Sequence, residues 1–256
     1  MDDGEGSGGL SLPSLPVRKM RLLNLVMIVA VFPFCLTGCT KEESTEGFFA
    51  LCPLGKVDGN LLDQMRRFVE IAYGSPCKVM PLLPLPSRTY NAVRKQYRAS
   101  ELLDYLEENA PKGARKLVGV TEKDIYTREM NFIFGLANSP GKCCVVSTAR
   151  LHESFWGNRE NELLLRRRAF MIVYHELGHT FGIKHCNKIE CAMCYHNSLY
   201  ELDAGNVWFC PDCGRKLEKA VGRLPDDREL RIAEFLSESG LKKDAQLHTE
   251  GKGTKE

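Results

Sequence analysis

The sequence predicts a mixed α/β domain, an α+β arrangement with a twisted sheet of about five strands and helices packed on it. Three observations carry this expectation. Short apolar runs alternate with segments of helical periodicity, and two of the later runs are joined by the turn Asn138-Ser139-Pro140-Gly141. One long helical pattern then passes into irregular chain rich in cysteine. At 256 residues there is enough chain for one well-filled core and a small appendage.

Taken in order, Phe48 to Leu54 is apolar and stops at Pro53 and Gly55, as a buried strand does. Leu61, Leu62, Met65, Phe68, Val69 and Ala72 recur at helical spacing and predict an amphipathic helix ending near Gly74. Cys77 to Leu85 reads as a second strand, which Pro81 and Pro84 push to a sheet edge. Ser100 is placed as the cap of a helix carrying Leu102, Leu103 and Leu106, which ends before Pro111. Lys116 to Val120 is a third strand, and Met130 to Ala137 with Lys142 to Ala149 form a hairpin. The pattern is helical again from about Glu160 to Phe181. A final helix is placed from Pro225, with Asp226 and Asp227 in its first turn, and the polar tail 237–256 is expected to be disordered.

The amino terminus has another character. Arg18, Lys19 and Arg21 precede an apolar run from Leu22 to Leu36 that is shorter than a membrane span and exits at Leu36-Thr37-Gly38-Cys39. That ending resembles the bacterial lipobox, which implies a signal over 1–39 and a lipid on Cys39; Met20 is then a candidate start. The polar stretch Lys41-Glu42-Glu43-Ser44-Thr45-Glu46 reads as a tether over 40–47, leading to the main folded domain over 48–236. The expected location is therefore a membrane surface, as an exported, anchored lipoprotein facing the periplasm or the cell exterior. A formal charge of +2 gives no reason to expect nucleic acid as a partner, and Arg166-Arg167-Arg168 and Lys242-Lys243 are read as solvated faces.

The chemistry concentrates in His175-Glu176-Leu177-Gly178-His179-Thr180-Phe181-Gly182-Ile183-Lys184-His185. Positions i and i+4 share one face of a helix, so His175 and His179 can point at one ion. Glu176 follows the first ligand and can reach a water without ligating the metal itself. Gly182 can take positive φ, ending the helix and returning His185 as a third ligand. Three neutral imidazoles around zinc leave a fourth position for water, whose pKa falls to about 7. The chemistry expected is peptide-bond hydrolysis, with Glu176 as general base.

Eleven cysteines divide by spacing. Cys35 and Cys39 belong to the signal. Cys186-x4-Cys191 and Cys210-x2-Cys213 supply two pairs of soft ligands, and four thiolates close a tetrahedral shell, so a zinc there is structural. Two disulfides are the rival reading in an exported chain. Gly214, after the second pair, is read as letting backbone approach sulfur. Cys52 and Cys143 fall in apolar strands and are read as buried thiols; the pairing of Cys77, Cys144 and Cys194 is left open.

The long zinc signature followed at once by Cys186, then Cys191, Met193 and Cys210-Pro211-Asp212-Cys213, resembles the archaemetzincins, a metzincin family of zinc metalloproteases. The Gly119-Val120-Thr121 and Asn131-Phe132-Ile133-Phe134-Gly135 segments are similar as well. The resemblance implies a metzincin-like fold with an active-site helix and a four-cysteine zinc site in a C-terminal subdomain, hence two zinc ions. It implies that Met193 is the methionine beneath the zinc ligands. Tyr195 is similar in place to a tyrosine that other metzincins hold near zinc, a candidate transition-state donor. An edge strand, Asn131 to Ala137, would receive an extended peptide or protein substrate by main-chain hydrogen bonds. Two alternatives are a catalytically restricted, zinc-stabilised peptide-binding module on the membrane surface and a membrane-anchored scaffold. Glu176 favours the enzyme, since a structural zinc does not need it.

Overall fold

The computed structural model describes residues 47–253. The segments read as a signal, a lipobox at Cys39 and a tether up to Glu46 lie outside the described residues. A five-stranded sheet forms the centre, in the order β2 (Cys77–Val79), β1 (Phe48–Pro53), β5 (Ala114–Thr121), β8 (Cys143–Ser147) and β7 (Gly135–Ala137). All neighbours run parallel except β7, which returns antiparallel to β8 and leaves its other edge unpaired by any described strand. A second, small sheet joins β3 (Tyr90–Asn91), β4 (Gln96–Arg98) and β6 (Ile125–Tyr126).

Alternation along the strands divides the core in two. Phe49, Leu51, Val118, Val120, Cys144 and Val146 face helices α1 (Gly59–Tyr73) and α3 (Glu162–Thr180). Ala50, Cys52, Leu54, Leu117, Cys143 and Val145 face helix α2 (Ala99–Glu108). Covered on both sides, these strands read as unbroken apolar runs. Helix α1 starts where the Asp58 carboxylate accepts from the Leu61 amide at 2.7 Å and ends at Gly74 in the left-handed region, φ 58°. It buries Leu61, Leu62, Met65, Phe68 and Val69, each worth about 1.5–3 kcal/mol against exposure.

Several expectations are corrected. The second strand stops at Val79; Met80 and Leu83 still donate to Leu51 and Pro53 carbonyls at 2.8 and 2.9 Å, but Pro81 and Pro84 have no amide to give. Ser100 is not a cap: α2 begins at Ala99, with Arg98 at its N-cap position and no side-chain cap. The strand expected from Met130 is confined to Gly135–Ala137, with Ile133 alone bridging to Ile125. The basic run at 166–168 is not a solvated face. Arg168 is 2% exposed, binds Asp203 at 2.6 and 2.8 Å, Glu153 at 2.7 Å and the Leu151 carbonyl at 2.7 Å. Arg167 binds Asp244 at 2.8 Å.

Beyond the long helix come α4 (Leu199–Ala204), α5 (Pro211–Val221), α6 (Arg228–Glu238) and α7 (Lys242–Gly253). The helix placed at Pro225 begins three residues later, after a turn closed by Arg228 donating to the Pro225 carbonyl at 3.1 Å. The tail expected to be disordered is, in its described part, 237–253, mostly helical. Leu241, Ala245 and His248 form a buried stripe at helical spacing; beside it the buried Asp244 pairs with Arg167, and His248 Nε2 lies 2.8 Å from a Glu229 carboxylate oxygen. Composition alone hides such a stripe.

Candidate active site

Helix α3 positions the candidate ligands. Asn161 caps its start, accepting from the Leu164 amide at 3.1 Å, and every residue from Arg168 to Gly178 is buried. Its end is a Schellman closure: Ile183 donates to the Gly178 carbonyl at 3.1 Å and Gly182 to His179 at 2.8 Å, with Gly182 at φ 79°. The chain therefore reverses as expected and returns His185 to the helix. Lys116, buried on β5, reinforces this corner by donating to the carbonyls of Thr180 at 3.1 Å and Gly141 at 2.9 Å. A cation at a helix C-terminus also complements the helix dipole. Spacing gave no sign of this lysine.

The three imidazoles converge. Nε2 of His179 lies 3.0 Å from Nε2 of His175 and 3.1 Å from Nε2 of His185. The opposite nitrogens of two rings are engaged by backbone: His175 Nδ1 donates to the Ala192 carbonyl and His179 Nδ1 to the Ile183 carbonyl, both at 2.7 Å. That fixes the tautomer with the Nε2 lone pairs turned to a common point. Neutral imidazole nitrogens have no mutual hydrogen bond to make in that tautomer. Four ligands at zinc–nitrogen distance define a tetrahedron whose edge is about 3.3 Å, close to the separations present. The residues fit a zinc ion.

Burial keeps these rings neutral: it pushes His175 down to about 3 and lowers His179 and His185. Burial acts oppositely on Glu176, raising it to about 8. Its carboxyl group presses on Gly135 of the edge strand, where a Cβ would meet Oε1 at 2.5 Å. Met193 is fully buried, and a Cβ on Gly178 would come within 2.5 Å of its Sδ, so its thioether lies against the ligand-bearing helix. The Tyr195 ring stands 5.0 Å from His185, and its hydroxyl meets Met130 Sδ at 3.7 Å.

Four sulfurs gather beside this site. Cys186, Cys191, Cys210 and Cys213 place their Sγ atoms within 4.8 Å of one another, with Cys186 and Cys210 at 3.9 Å. A tetrahedron at zinc–sulfur distance has an edge of about 3.8 Å, so this set also fits. Its backbone matches a thiolate centre, since the Cys210 amide donates to Cys191 Sγ at 3.2 Å. None of the nine described cysteines is in a disulfide. The role given to Gly214 is corrected: nothing lies within 4 Å of a Cβ there, and its amide makes the ordinary helical bond to Cys210. Met193 couples the two clusters, its carbonyl accepting from the Cys186 amide at 2.9 Å.

A cleft of about 680 Å³ opens over the histidines. The edge strand and the Phe132–Phe134 segment form one wall, Tyr195, His196 and Asn197 another, and Ile172 lies among the lining residues. Sequence reasoning missed Ile172, His196 and the carbonyls of Ala192 and Ile183; a backbone acceptor leaves no residue signature.

An ion-ready trio of imidazoles beside a buried carboxylate, under a cleft bordered by a strand edge that no described strand pairs, defines the class of zinc metallopeptidases. The family model for peptidase family M54 matches residues 60–219, and the chain belongs to that family. Its relatives include the archaemetzincin of Pyrococcus furiosus, 35% identical over 177 residues that cover 67% of this chain and 92% of the relative. That of Methanocaldococcus jannaschii is 33% identical, over 65% of this chain and 90% of its own. The solved archaemetzincin structure from Methanopyrus kandleri superposes with a TM-score of 0.60 at 33% identity, covering 70% of this chain and 98% of that one. The chain is thus a zinc metallopeptidase acting on peptide or protein substrates.

Proposed function

We propose that His175, His179 and His185 hold the catalytic zinc and that Glu176 is the general base for peptide-bond hydrolysis. The observation that carries the reading is the 3.0–3.1 Å convergence of three Nε2 atoms, with two opposite nitrogens already spent on carbonyls. A zinc ion in that position supplies Lewis acidity, polarising a carbonyl and acidifying water toward neutral pH. The chain's own residues do the rest. The edge of β7 aligns an extended peptide through main-chain hydrogen bonds. Glu176 accepts the proton of the attacking water and passes it to the leaving amine. Its burial favours the protonated form and an adjacent dication favours the ionised one, which suits a group that must both take and release a proton. Tyr195, at the cleft wall, donates to the carbonyl oxygen as charge develops there.

The test is Glu176→Gln. Zinc content should remain and turnover should fall by at least about a hundredfold, the usual contribution of a general base. Full activity in that variant would refute the assignment.

We further propose a second, structural zinc on Cys186, Cys191, Cys210 and Cys213, with Met193 as the apolar support between the centres. Metal analysis should return two zinc ions per chain, falling to one when the cysteine set is disabled. Attachment to a membrane through a lipid on Cys39 is supported by the basic, apolar and Leu-x-Gly-Cys succession. Labelled fatty acid should enter the intact chain and not Cys39→Ala.

A further inference from the structure

One wall of the cleft adjoins an aromatic cluster that lies outside its lining. Phe132 lines the cleft and meets Phe134 edge-on at 5.5 Å. The guanidinium of Arg150 lies 4.1 Å from the Phe132 ring centre, 4.7 Å from that of Phe155 and 5.7 Å from that of Trp156. Phe155 and Trp156 contact each other at 5.2 Å, are 45% and 46% exposed, and sit on the 3-10 turn Glu153–Trp156. Three aromatic rings and one guanidinium thus form a ledge leading from the cleft to the surface.

Two features say what the ledge would hold. The charge of Arg150 is taken up by Asp124 through two hydrogen bonds of 2.8 Å, with both side chains mostly buried. The ledge is therefore electrically balanced and presents apolar rings rather than a cation for acidic groups. It is also held in place: Trp156 Nε1 donates to the Arg150 carbonyl at 3.0 Å, and Gly157 at φ 82° closes the turn. Fixed, half-exposed aromatic rings gain contact area on binding with little loss of side-chain freedom.

We propose that Arg150, Phe155 and Trp156, with Phe132, form an extended subsite that binds an apolar or aromatic side chain of the peptide substrate several residues from the scissile bond. The inference rests on the peptidase reading above: the edge of β7 holds the main chain, and the ledge selects a side chain past the end of the cleft.

Peptides with a core of about six residues are compared with the same core lengthened by about four residues at either end, the extension carrying Phe or Ser. Affinity is measured by calorimetry on zinc-loaded Glu176→Gln protein, and cleavage on the unaltered enzyme. At one end, Phe should improve affinity and kcat/KM over Ser by about three- to tenfold, the worth of one aromatic contact. That gain should disappear in the double variant Phe155→Ala, Trp156→Ala, whose melting temperature and zinc content establish that it folds. Equal binding of Phe and Ser extensions, or a gain that survives the double variant, overturns the ledge even if every peptide is cut. Phe-dependent binding without cleavage of any peptide keeps the ledge and overturns the proposed mechanism instead.

Discussion

Gly135 and Glu176 touch across the cleft, and the contact leaves no room for a side chain: a Cβ on the glycine would sit 2.5 Å from the Oε1 and Cγ atoms of the glutamate. The strand that would align substrate and the group that would move its proton are therefore placed by one contact. Gly135→Ala must displace the carboxylate, since the backbone of a paired strand yields less than the end of a glutamate. Activity should drop by about tenfold or more with zinc retained, because small displacements of a catalytic group are costly. Wild-type kcat/KM in that variant would show that Glu176 tolerates relocation.

Gly178 sets propensity against packing. Alanine is better than glycine inside a helix by about 1 kcal/mol. Here its Cβ would lie 2.5 Å from Met193 Sδ and 2.9 Å from the Phe209 ring, and overpacking of this kind costs about 1–3 kcal/mol. The Phe209 ring stacks flat on Tyr174 at 4.0 Å and has little room to retreat. Gly178→Ala should lower the melting temperature of the zinc-loaded protein; a rise would mean that Met193 gives way without loss.

The metal-free protein should have opposing pH limits. His175 is held down to about 3 from an ordinary 6.5, so the unfolded chain takes up a proton that the fold refuses. Its contribution to stability is full above about 6.5 and is lost as pH falls toward 3. Glu176 is raised to about 8 from an ordinary 4.5, so its contribution is full below 4.5 and is lost as pH rises through 8. Glu176→Gln should remove only the alkaline loss. Denaturant midpoints of metal-free protein between pH 5 and 9 check this, and superimposable profiles would contradict it.

Cys210→Ser tests the coupling between the two centres without altering a histidine. The Cys186 amide is bonded to Met193, Cys186 follows His185 directly, and the Ala192 carbonyl orients His175. Loosening the sulfur cluster should therefore weaken zinc at the histidines and reduce activity together. Unchanged affinity at the histidine site would separate the centres.

What could be read in the sequence was whatever repeats at a fixed spacing. Histidines at i and i+4, the glycine that ends the helix, the cysteine pairs and the apolar strand runs all announce themselves because one residue type serves one geometry. The arginines of 166–168 misled, since a basic run looks alike in solvent and in a buried web with Asp203, Glu153 and Asp244. The tail misled because a few buried residues, Leu241, Ala245 and His248 among them, dock a segment that is otherwise mostly polar. Gly135 and Lys116 act through neighbours distant in the chain, so their meaning exists only after folding.

The stretch that matches the M54 family ends at 219, yet Arg228 beyond it is buried and donates to the Tyr174 hydroxyl and, at 2.5 Å, to the Ala72 carbonyl. Tyr174 immediately precedes His175. Helix α6 thus holds the side chain of the residue just before the first candidate ligand, a place from which the enzyme could be retuned while every letter of its signature stays unchanged.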